Sequence, residues 1–207
     1  MRRTAAGACG PPTIVRETSL GEVVAFFSAK RMTVLTLLGY SAAEYEDKAV
    51  MLAHVARLLD QADPKTTIMN IGTTAVGIGA AYEIAKHKGF TTSGIVSTLA
   101  KETPTALSPC VDIVFYVKDE SWGGLVKGTE QLSPTSMAMV AVSDRLVAIG
   151  GGEISRDEFI AAMSLGKNTR FISADMNHAL ARETASKKGL PAPTDFRGPL
   201  AAALSKP

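Results

Sequence analysis

The sequence predicts an α/β domain, built as a Rossmann-like parallel sheet with helices on both faces. From Met32 onward, short apolar runs alternate with segments of helical periodicity, the order expected of β-α-β units. Hydrophobic residues make up 46% of the 207 residues but aromatic residues only 6%, so small aliphatic side chains must fill the core. Such side chains are typical of parallel strands that are covered on both faces.

Six apolar runs are predicted to be strands, and several of them end in glycine or in a polar turn. They lie at 33–38, 66–71, 93–98, 111–117, 144–149 and 169–173. The helix predicted at 42–59 has apolar residues at three- and four-residue steps, namely Tyr45, Ala49, Leu52, Val55 and Leu59. Further helices are predicted up to residue 85 and at 137–142, 155–165 and 175–187, the last with Asp175 as its N-cap.

The core of this pattern has no internal repeat and no linker that would divide it. Residues 1–30 are predicted to be an N-terminal arm, in which 20–28 form a short helix or strand. Residues 31–190 are predicted to be the Rossmann-like domain, and the proline-containing residues 191–207 an irregular tail. The chain is therefore expected to be a single domain with two less regular ends.

Composition and charge exclude several classes of protein. The net charge is +2 and no dense Lys/Arg stripe occurs, which argues against nucleic acid as the main partner. Cys9 and Cys110 are far apart and form no CxxC motif, so neither a disulfide nor a zinc site is expected. The three scattered histidines suggest no metal site. No apolar run reaches membrane-spanning length and no apolar stretch follows the N-terminal charges, so a cytoplasmic protein without a membrane partner is expected.

The candidate ligand site lies at the carboxyl ends of the predicted strands, where open α/β sheets bind their ligands. Glycines there let backbone N–H groups approach an anion, and a following helix N-terminus adds partial positive charge. The candidate binding residues are Gly39, Ser41, Gly72, Thr73, Thr74, Gly77, Gly150, Gly151, Gly152 and Ser155. They predict a small phosphorylated ligand, with a nucleotide favoured. Plain turns or close helix–strand packing are the alternative interpretation.

Two familiar phosphate motifs are absent. A P-loop needs a lysine in the turn, but Gly72 is followed by two threonines. A dinucleotide fingerprint needs an acidic residue at the end of the next strand, and 93–98 supplies none. The identity of the ligand or cofactor therefore stays open at this stage.

Three motifs together resemble the SLOG superfamily, which includes the Lonely Guy and molybdenum-cofactor carrier proteins. Gly39-Tyr40-Ser41 followed by Tyr45 and Ala49 is similar to the first strand end and helix of that family. Gly72 and Gly77 match two positions of its GGGxxGLM turn. Ser143-Asp144 stands at the Ala-Asp or Ser-Asp pair with which the family's signature strand often begins, and the segment 150–158 stands at its PGGxGTxxE signature. The resemblance covers residues 32–173.

The resemblance implies a nucleotide-binding Rossmann-like fold, and in its phosphoribohydrolase members a catalytic glutamate, which corresponds to Glu158. The family's arginine-lysine position falls at Thr135-Ser136, so this chain lacks that arginine, and Arg156 or Arg145 are the candidate substitutes. Ile154 replaces a signature glycine. Family members associate through a helix equivalent to 42–59, which implies a homo-oligomer.

Three hypotheses for function follow. The first is a ligand-binding or cofactor-carrier protein that holds a nucleotide or another phosphorylated ligand at the strand ends. The second is a phosphoribohydrolase-like N-glycosidase that acts on a nucleoside monophosphate through Glu158. The third is an interaction scaffold with a vestigial site. Trp122, in the irregular segment before residue 134, fits a lid that stacks on a base, a surface loop packed on the core, or a subunit contact.

Overall fold

A computed structural model describes residues 9–103 and 106–205, and it shows seven parallel strands in a single sheet. The strands are β1 (Ile14–Thr18), β2 (Thr33–Gly39), β3 (Thr67–Ile71), β4 (Thr91–Ser97), β5 (Ile113–Val117), β6 (Arg145–Ile149) and β7 (Asn168–Ile172). Their order in the sheet is β1-β5-β4-β3-β2-β6-β7, and each neighbouring pair is parallel. The predicted Rossmann-like α/β fold is confirmed.

Helices cover both faces of the sheet. They are α1 (Leu20–Lys30), α2 (Lys48–Asp60), α3 (Ala81–His87), α4 (Leu99–Glu102), α5 (Pro134–Val142), α6 (Glu153–Ser164), α7 (His178–Lys187) and α8 (Gly198–Leu204). A 3₁₀ turn at Gly77–Ala80 leads into α3. Buried side chains of α1, α5, α6 and α8 form the core on one face, and those of α2 and α3 form it on the other. The sheet is thus buried on both sides, as its apolar strands require.

The order of the strands places a topological switch between β2 and β6. From β2 the chain moves outward through β3, β4 and β5, and it then returns to add β6 and β7 on the other side of β2. Gly39 at the end of β2 is in register with Ile149 at the end of β6. Ligands of open α/β sheets bind in the crevice outside the carboxyl ends at such a switch.

Both predicted chain ends are more ordered than the sequence suggested. Residues 14–30 are not an arm, because β1 pairs with β5, and Val23 and Phe27 of α1 are buried against the sheet. Residues 198–204 of the predicted irregular tail form α8, whose Leu200 is fully buried. The beginning of the predicted arm, 1–8, and the end of the tail, 206–207, lie outside the described residues.

The prediction that the two cysteines form no disulfide is wrong. Cys9 and Cys110 are joined across a sequence separation of 101 residues. The Gly10 N–H also donates to the Pro109 carbonyl at 2.8 Å, so the segment before β1 is tied to the turn before β5. Sequence spacing gave no sign of this pairing, because only the parallel alignment of β1 on β5 brings the two residues together.

Candidate functional site

The turns after β2 and β3 touch through their backbones. The Ile78 N–H donates to the Tyr40 carbonyl at 2.7 Å. Gly77 has a φ of +60°, and a Cβ at this position would lie 2.2 Å from the Tyr40 carbonyl oxygen. Only glycine can satisfy both the left-handed backbone and this close approach. The predicted residues from Gly39 to Gly77 are therefore assembled at one edge of the sheet.

Replacing Gly77 by alanine should lower the free energy of unfolding by about 2 to 3 kcal/mol, since the methyl group adds overpacking to left-handed strain. Gly128 provides the control, because its φ is +78° but a Cβ there would meet nothing within 4 Å. Gly128→Ala should cost only the backbone strain, about 1 kcal/mol. Urea unfolding of both variants measures the difference, and equal losses would show that the contact with Tyr40 is not tight.

The turn after β6 leads into α6, a helix whose N-terminus has no side-chain cap. Gly150 and Gly151 have φ values of +58° and +145°, and the Gly150 N–H donates to the Ile172 carbonyl at 2.8 Å. Gly152 is the N-cap of α6, with ordinary φ and no side chain to accept from the first-turn N–H groups. A Cβ at Gly152 would meet nothing within 4 Å. The position of a Gly152 Cβ is therefore open space, and the first-turn N–H groups of α6 have no capping side chain.

Some predicted cradle residues already have partners within the chain. The Ser155 hydroxyl donates to the Gly39 carbonyl at 3.0 Å, which ties α6 to the end of β2. The Thr74 hydroxyl forms a local turn with Val76, and Thr73 is buried at a φ of +62°. Ser41 is exposed at the same edge. Because β3, β2 and β6 are adjacent, these turns lie within about 10 Å of one another.

The C-terminal segment covers one side of the glycine turn, which sequence reasoning missed. The Tyr40 hydroxyl donates to the Arg197 carbonyl at 2.6 Å, and the Ala174 carbonyl oxygen, at 3.1 Å, is its alternative acceptor. The Leu200 N–H donates to the Gly151 carbonyl at 3.3 Å. Burial raises the pKa of Tyr40 to about 12, so this hydroxyl remains a donor. Pro199 in the first turn of α8 was the available signal for a helix.

Glu158 does not face an open site. It lies on α6 with 4% of its surface exposed, and its Oε1 accepts from the Ser136 hydroxyl at 2.6 Å. Ser136 Oγ in turn accepts from the Gly124 N–H at 2.7 Å. Burial raises the pKa of Glu158 to about 8, with a smaller contribution from Asp157. At neutral pH the carboxyl is therefore mainly protonated. Through Ser136 it is linked to Gly124, which lies in the segment 119–133.

That segment, called here the 119–133 loop, is fastened at both ends. Burial raises the pKa of Asp119, but the N–H groups of Thr135 and Ser121, which donate at 2.9 and 2.8 Å, bring it below its usual value. The Leu125 N–H donates to Asp157 at 3.1 Å.

Trp122 is 44% exposed, so it does not pack into the core. Its exposure is consistent with either a lid or a subunit contact.

The chain is similar to solved structures with this architecture. The molybdenum cofactor (Moco) carrier protein of Chlamydomonas reinhardtii matches with 21% identity and a TM-score of 0.50, over 84% of this chain and 96% of that chain. This chain has the fold of a Moco carrier protein. The molybdenum cofactor binding protein of the phototrophic bacterium Rippkaea orientalis matches with 19% identity and a TM-score of 0.49, over 77% and 86%. The protein TM1055 matches with 19% identity and a TM-score of 0.47, over 67% and 72%.

The likeness to the Chlamydomonas protein confirms the fold that the resemblance to the SLOG superfamily implied. No protein-family model matches the chain, and no curated protein matches its sequence.

The two arginines considered as catalytic substitutes are not free at the site of this Moco-carrier-type fold. Arg156 is paired with Asp157 at 2.8 Å. Arg145 is the first residue of β6, so it lies at the opposite end of that strand from Gly150. At the family's arginine-lysine position, Thr135 and Ser136 are buried in the first turn of α5. The described first turn of α5 thus carries no arginine at the position that the resemblance assigns to one in the hydrolase members.

Proposed function

We propose that this chain is a carrier or binding protein for a phosphorylated ligand, either a nucleotide or a pterin phosphate such as Moco. The phosphate would accept hydrogen bonds from the first-turn N–H groups of α6, beside Gly152, with Ser41 and the Gly72 turn as the facing wall. The observation that carries the proposal is the uncapped N-terminus of this 12-residue helix at the topological switch. The Moco-carrier-type fold supports the carrier role.

The other candidate residues complete the site without donating directly. Gly39, Gly77, Gly150 and Gly151 permit the close approach of the turns, and Ser155 holds α6 against β2. Thr73 and Thr74 shape the turn after β3. The proposal therefore assigns the direct contacts to backbone N–H groups, which recognise an oxyanion whatever its organic part.

Gly152→Asp should abolish binding without loss of stability. An aspartate at this N-cap would accept from the first-turn N–H groups itself, and it would repel a phosphate. Gly152→Ala is the matched control, because a Cβ at this position meets no neighbour within 4 Å and alanine adds neither a hydrogen-bond acceptor nor a charge. The measurement is a thermal-shift screen with nucleoside monophosphates, ribose 5-phosphate, ADP-ribose, dinucleotides and pterin phosphates. A ligand at a hundredfold its Kd adds about 2.7 kcal/mol of stability.

Three outcomes of the screen are informative. A shift with the wild type and Gly152→Ala but not with Gly152→Asp supports the site. A shift of equal size in all three proteins contradicts the placement at α6. No shift with any compound, for protein shown to be folded and free of co-purified ligand, favours the interaction scaffold instead.

The hydrolase alternative depends on access to Glu158. A carboxyl group whose pKa is raised to about 8 is typical of a general acid, which favours this second candidate. Glu158 is buried behind Ser136 and Gly124, so the 119–133 loop would have to open before a substrate could reach this carboxyl group. Release of free base from a nucleoside monophosphate by the wild type, but not by Glu158→Ala, would establish the hydrolase.

We also propose a homo-oligomer, but through a different surface from the predicted helix 42–59. Met51, Val55 and Leu59 of α2 are buried in the core, and Val50 is the large apolar side chain that this helix leaves exposed. A larger group of exposed apolar side chains lies on the 119–133 loop and on α5 and α6: Trp122, Leu125, Val126, Met137 and Ile154. A patch of this kind typically marks a protein contact. Light scattering of wild type and Met137→Glu tests it.

The proposed cytoplasmic location is tested by the state of the cysteines. No helix in the described part of the chain is long and apolar enough to cross a membrane. The Cys9–Cys110 disulfide, however, is typical of an oxidising compartment. Alkylation of both cysteines in freshly lysed cells would support the cytoplasmic location, and resistance to alkylation would count against it.

A further inference from the structure

A groove on the face of the sheet opposite α6 lies between α2 and the edge strand β7. Its volume is about 120 Å³, and its lining residues are His54, Arg57, Leu58, Gln61, Arg170 and Ile172. The α2 residues recur at three- and four-residue steps, so they share one side of that helix. Arg170 and Ile172 alternate along β7 and share one face of the strand. The groove is therefore a direct consequence of the packing of α2 beside the sheet edge.

The groove carries positive charge that nothing in the described chain neutralises. Neither Arg57 nor Arg170 has an ion pair or a side-chain hydrogen bond with any residue of the described ranges. No acidic residue lines the groove. Asp60, the acidic residue at the end of α2, is already paired with Lys88. Two arginines thus line one groove, and neither has an ion-pair partner among the described residues.

The dipole of α2 accounts for only part of this arrangement. Arg57 lies in the last turn of α2, where a cation interacts favourably with the helix dipole. That effect does not apply to Arg170, which lies on a strand. Leu58, which is buried, gives the groove apolar lining, and Gln61 and His54 also line it. Two arginines that line one cavity together with apolar side chains are a typical binding arrangement for an oxyanion.

The geometry points to a second anion site in this groove, which binds a phosphate or carboxylate group through Arg57 and Arg170, with Gln61 as a further donor. The groove is smaller than the roughly 300 Å³ at which pockets for whole organic ligands begin, so it accepts the anionic group alone. Guanidinium groups bind such oxyanions with two parallel hydrogen bonds. This site is separate from the proposed phosphate site at Gly152 and does not depend on it.

The test is a titration of the ¹⁵N-labelled protein with inorganic phosphate, followed by two-dimensional NMR at constant ionic strength, with sodium chloride as the reference salt. Phosphate should shift the amide signals of residues 54–61 and 168–172 and the side-chain signals of Arg57 and Arg170. Arg57→Gln and Arg170→Gln should each weaken this binding about tenfold or more, the effect of losing a charged hydrogen bond. Lys127→Gln, a change of an exposed cation that does not line the groove, should have no effect.

The variants separate this site from the one at α6. Gly152→Asp should remove only phosphate-dependent shifts near residues 150–155, and the double variant Arg57→Gln/Arg170→Gln only those in the groove. Both arginines are exposed, so the remaining spectrum should stay unchanged and report an intact fold. The inference is overturned if phosphate shifts no groove signal beyond the chloride reference, or if the double variant binds there as the wild type does.

Discussion

Replacing Glu158 by glutamine should raise the free energy of unfolding by about 3 kcal/mol at pH 7. Burial raises the pKa of this carboxyl from its ordinary 4.5 to about 8 in the folded protein. The folded state therefore holds the proton more tightly than the unfolded state does. This contribution to stability is complete below pH 4.5 and is lost as the pH rises through about 8. Glutamine carries no such dependence, because it does not ionise when the chain unfolds.

The pH dependence of the stability difference between wild type and Glu158→Gln tests whether the pKa of Glu158 is raised. Urea unfolding of wild type and Glu158→Gln should give nearly equal free energies at pH 4.5, and the difference should grow steadily to pH 8. The glutamine carbonyl can accept from the Ser136 hydroxyl as the acid does, so the anchor of the 119–133 loop is kept. Glu153→Gln, an exposed change on the same helix, should show no such growth. A constant difference for Glu158→Gln over this range would mean that Glu158 is ionised and exposed.

Loss of the Cys9–Cys110 disulfide should lower the free energy of unfolding by about 3 to 4 kcal/mol. The bond closes a loop with a sequence separation of 101 residues, and a cross-link of that length removes much of the freedom of the unfolded chain. The bond also ties the segment before β1, an edge strand whose residues are mostly exposed, to the turn before β5. Without it, we expect β1 to separate first.

Thermal unfolding of the wild type with and without dithiothreitol measures this effect, and Cys110→Ser supplies the comparison. The wild type should lose stability on reduction, whereas Cys110→Ser should unfold at the lower temperature in either buffer. Cys9→Ser is the second variant, and it leaves the buried position of Cys110 unchanged. If reductant has no effect on the wild type, the two thiols are not joined in solution. If Cys110→Ser loses stability but Cys9→Ser does not, the loss comes from the packing of the buried Cys110 side chain and not from the disulfide.

Much of the fold could be predicted because its local pattern and its tertiary burial agree. The strands β2 to β6 are buried along most of their length, since both faces of a central parallel strand are covered. The glycines that end β2 or follow β3 and β6 marked the edge at which the candidate site lies. The strand β1 carried no such signal, because only Ile14 and Thr18 of its five residues are even partly covered at the edge of the sheet.

Within the site, the sequence identified the turns. It did not show which of their hydrogen-bond donors already have partners within the chain. Three glycines after a strand predicted an anion-binding turn, and the open N-terminus of α6 is consistent with that prediction. Glu158 stood at a signature position, yet its burial depends on Ser136 and Gly124, which lie 22 and 34 positions earlier in the chain. The corresponding carboxyl in an open cleft would have given the same sequence pattern.

The sequence by itself determined the fold class, the alternation of strands and helices from β2 to α7 and the strand ends at which the candidate glycine turns lie, because each of these follows from short-range periodicity and from the placement of glycine. Only the tertiary structure decided the pairing of Cys9 with Cys110, the covering of Gly151 by Leu200 and the convergence of Arg57 with Arg170. The physical reason is that each of these contacts joins residues about 50 to 110 positions apart. Such contacts form because distant elements bury apolar surface together, and no local pattern records which partners that burial will bring into reach.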